Sequence, residues 1–317
     1  MNLRRNTLHL FLLLWPMVAA AQQAPSGADP SWKEQTLKVH ELYEQGAYEE
    51  AARLAEDTVK LSQTSFGAED TRTTTALNNL AEVYEAQGRF RDAESLHLQA
   101  LLMNEKLLGE YHEGVATDLI NLAGLYIKQQ KYRLAEPMLR RALVTLQLHT
   151  DPNDPALADL LDQLGAVEQA QHQFAEAEAD YRRCLEILRT AYEPDHPFVV
   201  ETLKNLGVVV KEQRRFGDAE ASFRQALSLA ERRFGPDHQI AASVLHQLAL
   251  VYQQQGQHHK AEPMFERAML IFEEHRASSP ELAAVLQEYS VSLRALGESQ
   301  KARMIEEQAH QELASAR

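Results

Sequence analysis

The side chains most able to do chemistry in this chain are 13 histidines, a single cysteine and several paired carboxylates, and their spacing argues against catalysis. His258 and His259 are adjacent, and adjacent side chains on a helix point apart. His112, His196 and His238 recur at multiples of 42 residues, so each falls in a different structural unit and they do not converge on one ion. No metal-site signature gathers the histidines, so no metal and no cofactor is expected. Cys184 excludes an intramolecular disulfide and any multi-cysteine cluster, and it stands where other units carry alanine, which reads as a small buried thiol. Pairs such as Glu49-Glu50 and Glu306-Glu307 suit exposed helical faces. With no nucleophile elbow, glycine-rich phosphate loop or kinase signature, the chain is not expected to be an enzyme.

One polar column does suggest a chemistry, that of binding. Asn79, Asn121, Gln163, Asn205 and Gln247 follow one another at 42-residue intervals (121−79, 163−121, 205−163, 247−205). A carboxamide offers both a donor and an acceptor, so a ladder of them can pair with the backbone of an extended peptide whatever its sequence. The competing reading is that the amides bond neighbouring helices and hold the array together. Lys204 and Lys211 lie close to this column and could attract an acidic stretch, although exposed lysines on a helix usually form a solvated face.

The elements that must position this column show the same period. Ala93-Glu94, Ala135-Glu136, Ala177-Glu178, Ala219-Glu220 and Ala261-Glu262 recur every 42 residues, as do Leu77, Leu119, Leu161, Leu203 and Leu245. Leu77, Leu80, Ala81 and Tyr84 stand at i, i+3, i+4 and i+7, one stripe of a helix; Phe90, Ala93, His97 and Ala100 make a second stripe. Between them, Gly88 can take the left-handed conformation that ends a helix, and Gly46, Gly256 and Gly297 recur at the same place. The alanines are expected to be where paired helices touch, while the glutamates beside them need only be solvated. Linkers such as Gly109-Glu110-Tyr111-His112 and Gly235-Pro236-Asp237-His238 separate the helical pairs, with Asp or His able to cap the following helix.

The pattern of Leu77, Leu80-Ala81, Tyr84, Ala93 and Ala100 resembles the tetratricopeptide repeat (TPR) over residues 33–314, and the lengthened unit is similar to the kinesin-light-chain type. The resemblance implies an all-α, right-handed α-solenoid of about seven helix-turn-helix repeats, at approximately 33–73, 74–115, 116–157, 158–199, 200–241, 242–279 and 280–314. The end units are less regular, as capping repeats are. The resemblance also implies that the first helices of successive units line a concave face along which a peptide runs, with amides at the matching positions. Members that grip a C-terminal carboxylate place basic residues one before and three after that amide; here only Lys204 and His246 offer a basic group, which argues against such a clamp.

Bulk properties bound the partners. A net charge of −14 disfavours nucleic acid and anionic membrane surfaces. Residues 1–21 read as a secretory signal peptide: Arg4-Arg5, an apolar stretch from Leu8 to Val18 too short to span a bilayer, and Ala19-Ala20-Ala21 before the cleavage point. Residues 22–32, with Pro25, Gly27 and Pro30, read as a flexible lead-in. The expectation is an exported protein, periplasmic or secreted and of bacterial type, with no stable membrane insertion after cleavage. It would be a non-catalytic scaffold or adaptor for a protein or peptide partner, the alternative being a self-associating assembly protein. The sequence leaves the oligomeric state open.

Overall fold

The computed structural model describes residues 30–275 and 279–315; the expected signal peptide and residues 22–29 of the lead-in lie outside them. Fourteen helices and no strands form among the described residues. They are α1 (Pro30–Glu44), α2 (Tyr48–Phe66), α3 (Thr71–Ala86), α4 (Phe90–Leu108), α5 (Glu113–Lys128), α6 (Tyr132–His149) and α7 (Pro155–Ala170). These are followed by α8 (Phe174–Ala191), α9 (Pro197–Glu212), α10 (Phe216–Phe234), α11 (Gln239–Gln254), α12 (His258–Glu274), α13 (Ser279–Ala295) and α14 (Ser299–Ser315). In chain order they alternate as seven first-helix, second-helix pairs. Residues 30–32, expected in the lead-in, instead begin α1, where Trp32 is buried and meets Phe66 edge-on at 6.1 Å.

The inner first helices begin three residues ahead of the expected repeat boundaries (71 against 74, 113 against 116, 155 against 158, 197 against 200, 239 against 242) because of their caps. Asp70 and Asp154 accept a hydrogen bond from the backbone N–H two residues on, at 2.9 and 2.8 Å. His112, His196 and His238 do the same through Nδ1, at 3.0, 3.4 and 3.2 Å, receiving from Gly114, Phe198 and Ile240. A helix leaves its first N–H groups without partners, and an acceptor at the cap satisfies one of them. The histidine column is therefore a capping column, which serves only while Nδ1 is unprotonated.

The turns inside the pairs share one geometry. Arg89 N–H donates to Tyr84 O (2.8 Å) and Gly88 N–H to Glu85 O (2.9 Å), the double bond of a Schellman ending. Its left-handed residue is glycine at 46, 88, 256 and 297, but Gln130 (φ 59°), His172 (φ 63°) and Arg214 (φ 60°) hold the same conformation in the middle repeats.

The chain divides into two compact units between Gln171 and His172. In the first, Ala93 and Ala135 are fully buried between helices, and Leu119, Leu122, Leu125 and Leu139 fill the centre of the core. In the second, Ala177, Ala219 and Ala261 are fully buried, and Phe223, Phe265 and Tyr289 are its large core side chains. Cys184 is buried, with Sγ 3.6 Å from Thr202 Oγ1.

The glutamates of the Ala-Glu pairs are not merely solvated. Glu94 accepts from Tyr126 Oη at 2.9 Å, and Glu136 accepts from Gln171 Nε2 at 2.7 Å. Glu220 accepts from Tyr252 Oη (2.8 Å), and Glu262 pairs with Lys301 (3.0 Å). Glu178 receives Gln213 Nε2 (2.8 Å) and Arg215 Nη1 (2.7 Å); burial alone would raise its carboxyl pKa, but these donors with Arg182 hold it below the usual range. Each glutamate thus ties its second helix to the next repeat. Where the first repeat has Ala52 in place of this glutamate, Tyr84 Oη donates to Glu56 one turn later (2.8 Å). Where the tyrosine column lapses, buried Glu168 is held by Arg140 Nη2 at 2.6 Å.

Candidate functional site

The carboxamide column lies on the first helices, at one position per repeat. In the first unit Asn79 is on α3, Asn121 on α5 and Gln163 on α7; Asn79 and Gln163 are each only 4% exposed, and Asn121 is half-buried. The Nδ2 atoms of Asn79 and Asn121 are sealed from solvent and have no acceptor. Gln163 donates from Nε2 to Asp159 Oδ2 at 3.1 Å, one turn back on the same helix, leaving its own Oε1 without a donor. Such groups cost about 1–3 kcal/mol each when left unmatched.

In the second unit Asn205 is buried on α9, and half-buried Gln247 on α11 accepts from Lys211 Nζ at 3.0 Å. Neither lysine lies on a solvated face. Lys211 is buried on α9, also 3.6 Å from Glu212 Oε1, and burial lowers its pKa. Lys204 is buried as well and pairs with Glu201 Oε2 at 2.5 Å, one turn away. His246, the other basic group beside the column, has Nε2 buried without a partner; burial, with a smaller push from Lys211, takes its pKa down to about 4.

A polar network that no repeat column announces sits beside the amides of the first unit. Asn78 Nδ2 on α3 donates to Asp118 Oδ1 on α5 at 2.6 Å, and Asn104 Nδ2 on α4 donates to Asp118 Oδ2 at 2.7 Å. Thr74 Oγ1 donates to Asn104 Oδ1 (3.0 Å). His97 on α4 is fully buried, with Nδ1 2.8 Å from Asn78 Oδ1 and Nε2 2.9 Å from Glu85 Oε1. Lys128 Nζ donates to Glu85 Oε2 at 2.6 Å. Burial pushes the Glu85 carboxyl up, but the His97 bond and Lys128 outweigh it and hold the pKa low. Glu82, one turn along α3 from Asn79, is less well supported: burial, with Glu85 adding to it, outweighs the pull of Lys128 and pushes its pKa up to about 8. The sequence signal for this network is the polar residues at 97, 104 and 118, where other repeats carry mostly apolar ones.

Among the described residues no group of three or more His, Cys, Asp and Glu side chains is placed to hold a metal ion. No described helix is long and apolar enough to cross a membrane.

Comparison with known proteins agrees with this frame. A tetratricopeptide repeat profile matches residues 39–102, 72–144, 156–232, 213–274 and 240–311. No curated protein matches the chain. Among solved structures, BtubC (BKLC) from P. vanneervenii is similar at 23% identity and TM-score 0.60, over 72% of this chain and 91% of its own. A Podosopora anserina structure of nearly identical TPR-like repeats, of the kinesin light chain kind, matches at 18% identity and TM-score 0.59, over 64% and 97%. The apo form of RapI matches at 13% identity and TM-score 0.65, over 90% and 99%. These likenesses show a shared fold, and that fold generally serves protein–protein interaction. Small-residue columns, Schellman turns and the profile matches along most of the array make this chain a member of the tetratricopeptide repeat family, built on a 42-residue period.

Proposed function

We propose that this protein is an exported, non-catalytic scaffold or adaptor that binds an extended peptide segment of a protein partner along its first helices. The observation that carries this reading is the amide column in the first unit: Asn79 and Asn121 each have an amide nitrogen without an acceptor inside the protein. A peptide supplies one carbonyl oxygen per residue, and amide N–H groups at repeat spacing suit such a strand. Reaching these atoms requires the side chains to turn outward, which a short asparagine does by rotation about two bonds.

The test is selection of a phage-displayed random dodecapeptide library on the full chain. Fluorescence anisotropy of the enriched peptides then compares the wild type with Asn79→Ala/Asn121→Ala and with Asn205→Ala. Peptide affinity should fall by about tenfold for the double variant, as expected for losing hydrogen bonds worth ~1 kcal/mol or more, with the thermal transition retained. Unchanged affinity with a lowered transition would make the amides structural and remove the reading.

The second reading, self-association, draws on Leu102 on α4 and Leu148 on α6, apolar side chains each 64% exposed on second helices of one unit. A sedimentation series that stays monomeric at high concentration rejects it.

A further inference from the structure

Two side-chain oxygens on one helix of the first unit are buried and find no donor among the described residues. Asp159 and Gln163 lie four residues apart on α7, on one face of that helix. Their single mutual bond, Gln163 Nε2 to Asp159 Oδ2, leaves Asp159 Oδ1 and Gln163 Oε1 without donors. Gln163 is only 4% exposed, so water does not readily make up the deficit. A side-chain amide has two N–H groups and one carbonyl oxygen, while a carboxylate only accepts; this pair therefore presents a surplus of acceptors and a negative charge.

No positive group is among those that act on the Asp159 carboxyl. Lys128 on α5 pairs with Glu85, and Arg140 on α6 pairs with Glu136 and Glu168. Burial pushes the Asp159 carboxyl up to about 6, only partly countered by the Gln163 bond, as expected for a carboxylate without a positive neighbour. On α3 of the same unit, Glu82 is a half-buried carboxyl one turn from Asn79. The first helices of this unit thus carry unmatched amide donors at Asn79 and Asn121 and unmatched acceptors at Asp159 and Gln163.

We infer that the peptide bound by this protein is basic, with a lysine or arginine side chain seated on Asp159 and Gln163 while its backbone carbonyls meet Asn79 and Asn121. A guanidinium or ammonium brings several N–H donors and one positive charge, which are what this acceptor pair lacks. The inference rests on the peptide-binding reading above and specifies the chemistry of the occupant.

The experiment uses the same dodecapeptide library at 0.15 M salt on three full-length proteins: wild type, Asp159→Asn, and Glu49→Gln. Glu49 is exposed on α2, so its substitution makes the same change in net charge away from the face and controls for attraction to an acidic protein. The expected result is lysine or arginine enrichment on the wild type and on Glu49→Gln, lost on Asp159→Asn. The best peptide should bind Asp159→Asn at least tenfold more weakly, and its own Lys→Gln version should bind the wild type equally weakly. Circular dichroism is used to check that Asp159→Asn is folded before its binding is compared. Equal basic enrichment on Asp159→Asn overturns the inference. Enrichment of peptides without basic residues, still sensitive to Asn79→Ala/Asn121→Ala, overturns it while sparing the peptide-binding reading. Failure of any peptide to enrich on the wild type overturns both.

Discussion

Asn78 on α3 and Asp118 on α5 are joined across two repeats by an N–H···O bond of 2.6 Å, and the oxygen of the same amide faces His97 Nδ1 at 2.8 Å. Asn78 therefore links two first helices to the second helix between them with one planar group. Replacing it with alanine leaves a buried Asp118 oxygen and a buried His97 nitrogen without partners. Each orphaned group costs about 1–3 kcal/mol, so Asn78→Ala should lose ~3 kcal/mol in urea unfolding. Asp118→Ala should be similarly damaging, and the double variant should fall short of the sum by ~1 kcal/mol or more. Strict additivity would show that the two side chains act independently.

Gln130 and Arg214 occupy the left-handed turn position where other repeats have glycine, and both side chains are exposed. A side chain costs roughly 1–2 kcal/mol in that conformation, offset in part by the greater freedom glycine gives the unfolded chain. Gln130→Gly and Arg214→Gly should therefore each raise unfolding stability by about 0.5–1 kcal/mol. Gly88→Ala, at φ 75°, should lower it by a similar amount. A loss in both glycine variants would mean that the side chains make stabilising contacts in the turn.

These cases mark where the sequence was legible. Columns that pack helix against helix, such as Ala93 through Ala261, repeat because every repeat meets the same steric demand, and a fixed period reveals them. The turn at residue 130 is legible only by register, since glutamine does not advertise a left-handed conformation. The glutamates of the Ala-Glu pairs looked dispensable because their partners lie 32 to 39 residues ahead and change from tyrosine to glutamine to lysine. The Asn78–His97–Glu85 network was hard to read for a different reason: it occurs once, so only single departures from the apolar columns mark it. The amide column was visible, but its burial and the missing partners of Asn79, Asn121 and Gln163 needed coordinates.

His246 on α11 should make the protein sensitive to acid. It faces Phe265, with ring centroids 6.0 Å apart, and lies within the field of Lys211, and its pKa in the fold is pushed down to about 4. The depressed value means that the folded state resists protonation. Its contribution is complete above the unfolded value near 6.5 and is lost as pH falls from there through about 4. Asp118 and Asp159, both pushed up to about 6, act in the opposite sense by favouring the folded state as they protonate, so the total profile is a sum. The clean observable is the stability difference between wild type and His246→Gln measured against pH. It should be flat above pH 7 and shift by about 2 kcal/mol in favour of His246→Gln by pH 4.5. A difference that does not change across that range would remove His246 as the acid-sensitive group.

Gly207 on α9 lies against the Phe223 ring of α10, and this contact sets how close the two helices come. A Cβ at residue 207 would stand 2.6 Å from Phe223 Cε1 and 2.8 Å from two further ring carbons. Phe223 is fully buried, so its ring has no solvent to move into. Ordinary helix propensity favours alanine over glycine by ~1 kcal/mol, and here the steric term opposes it. Overpacking a core of this kind costs about 1–3 kcal/mol, so Gly207→Ala should be net destabilising by ~1–2 kcal/mol despite the better helix former. Phe223→Leu alone should also destabilise, by opening space in the core. The two changes together should be less damaging than their sum, because the smaller side chain accepts the new methyl group. The equivalent pair in the next repeat, Ala249 with Phe265, tolerates a Cβ with both residues fully buried, so the sign at Gly207 depends on how closely its own ring approaches. Chemical denaturation of the four proteins of this cycle decides the matter: a stabilised Gly207→Ala would show that Phe223 shifts at little cost.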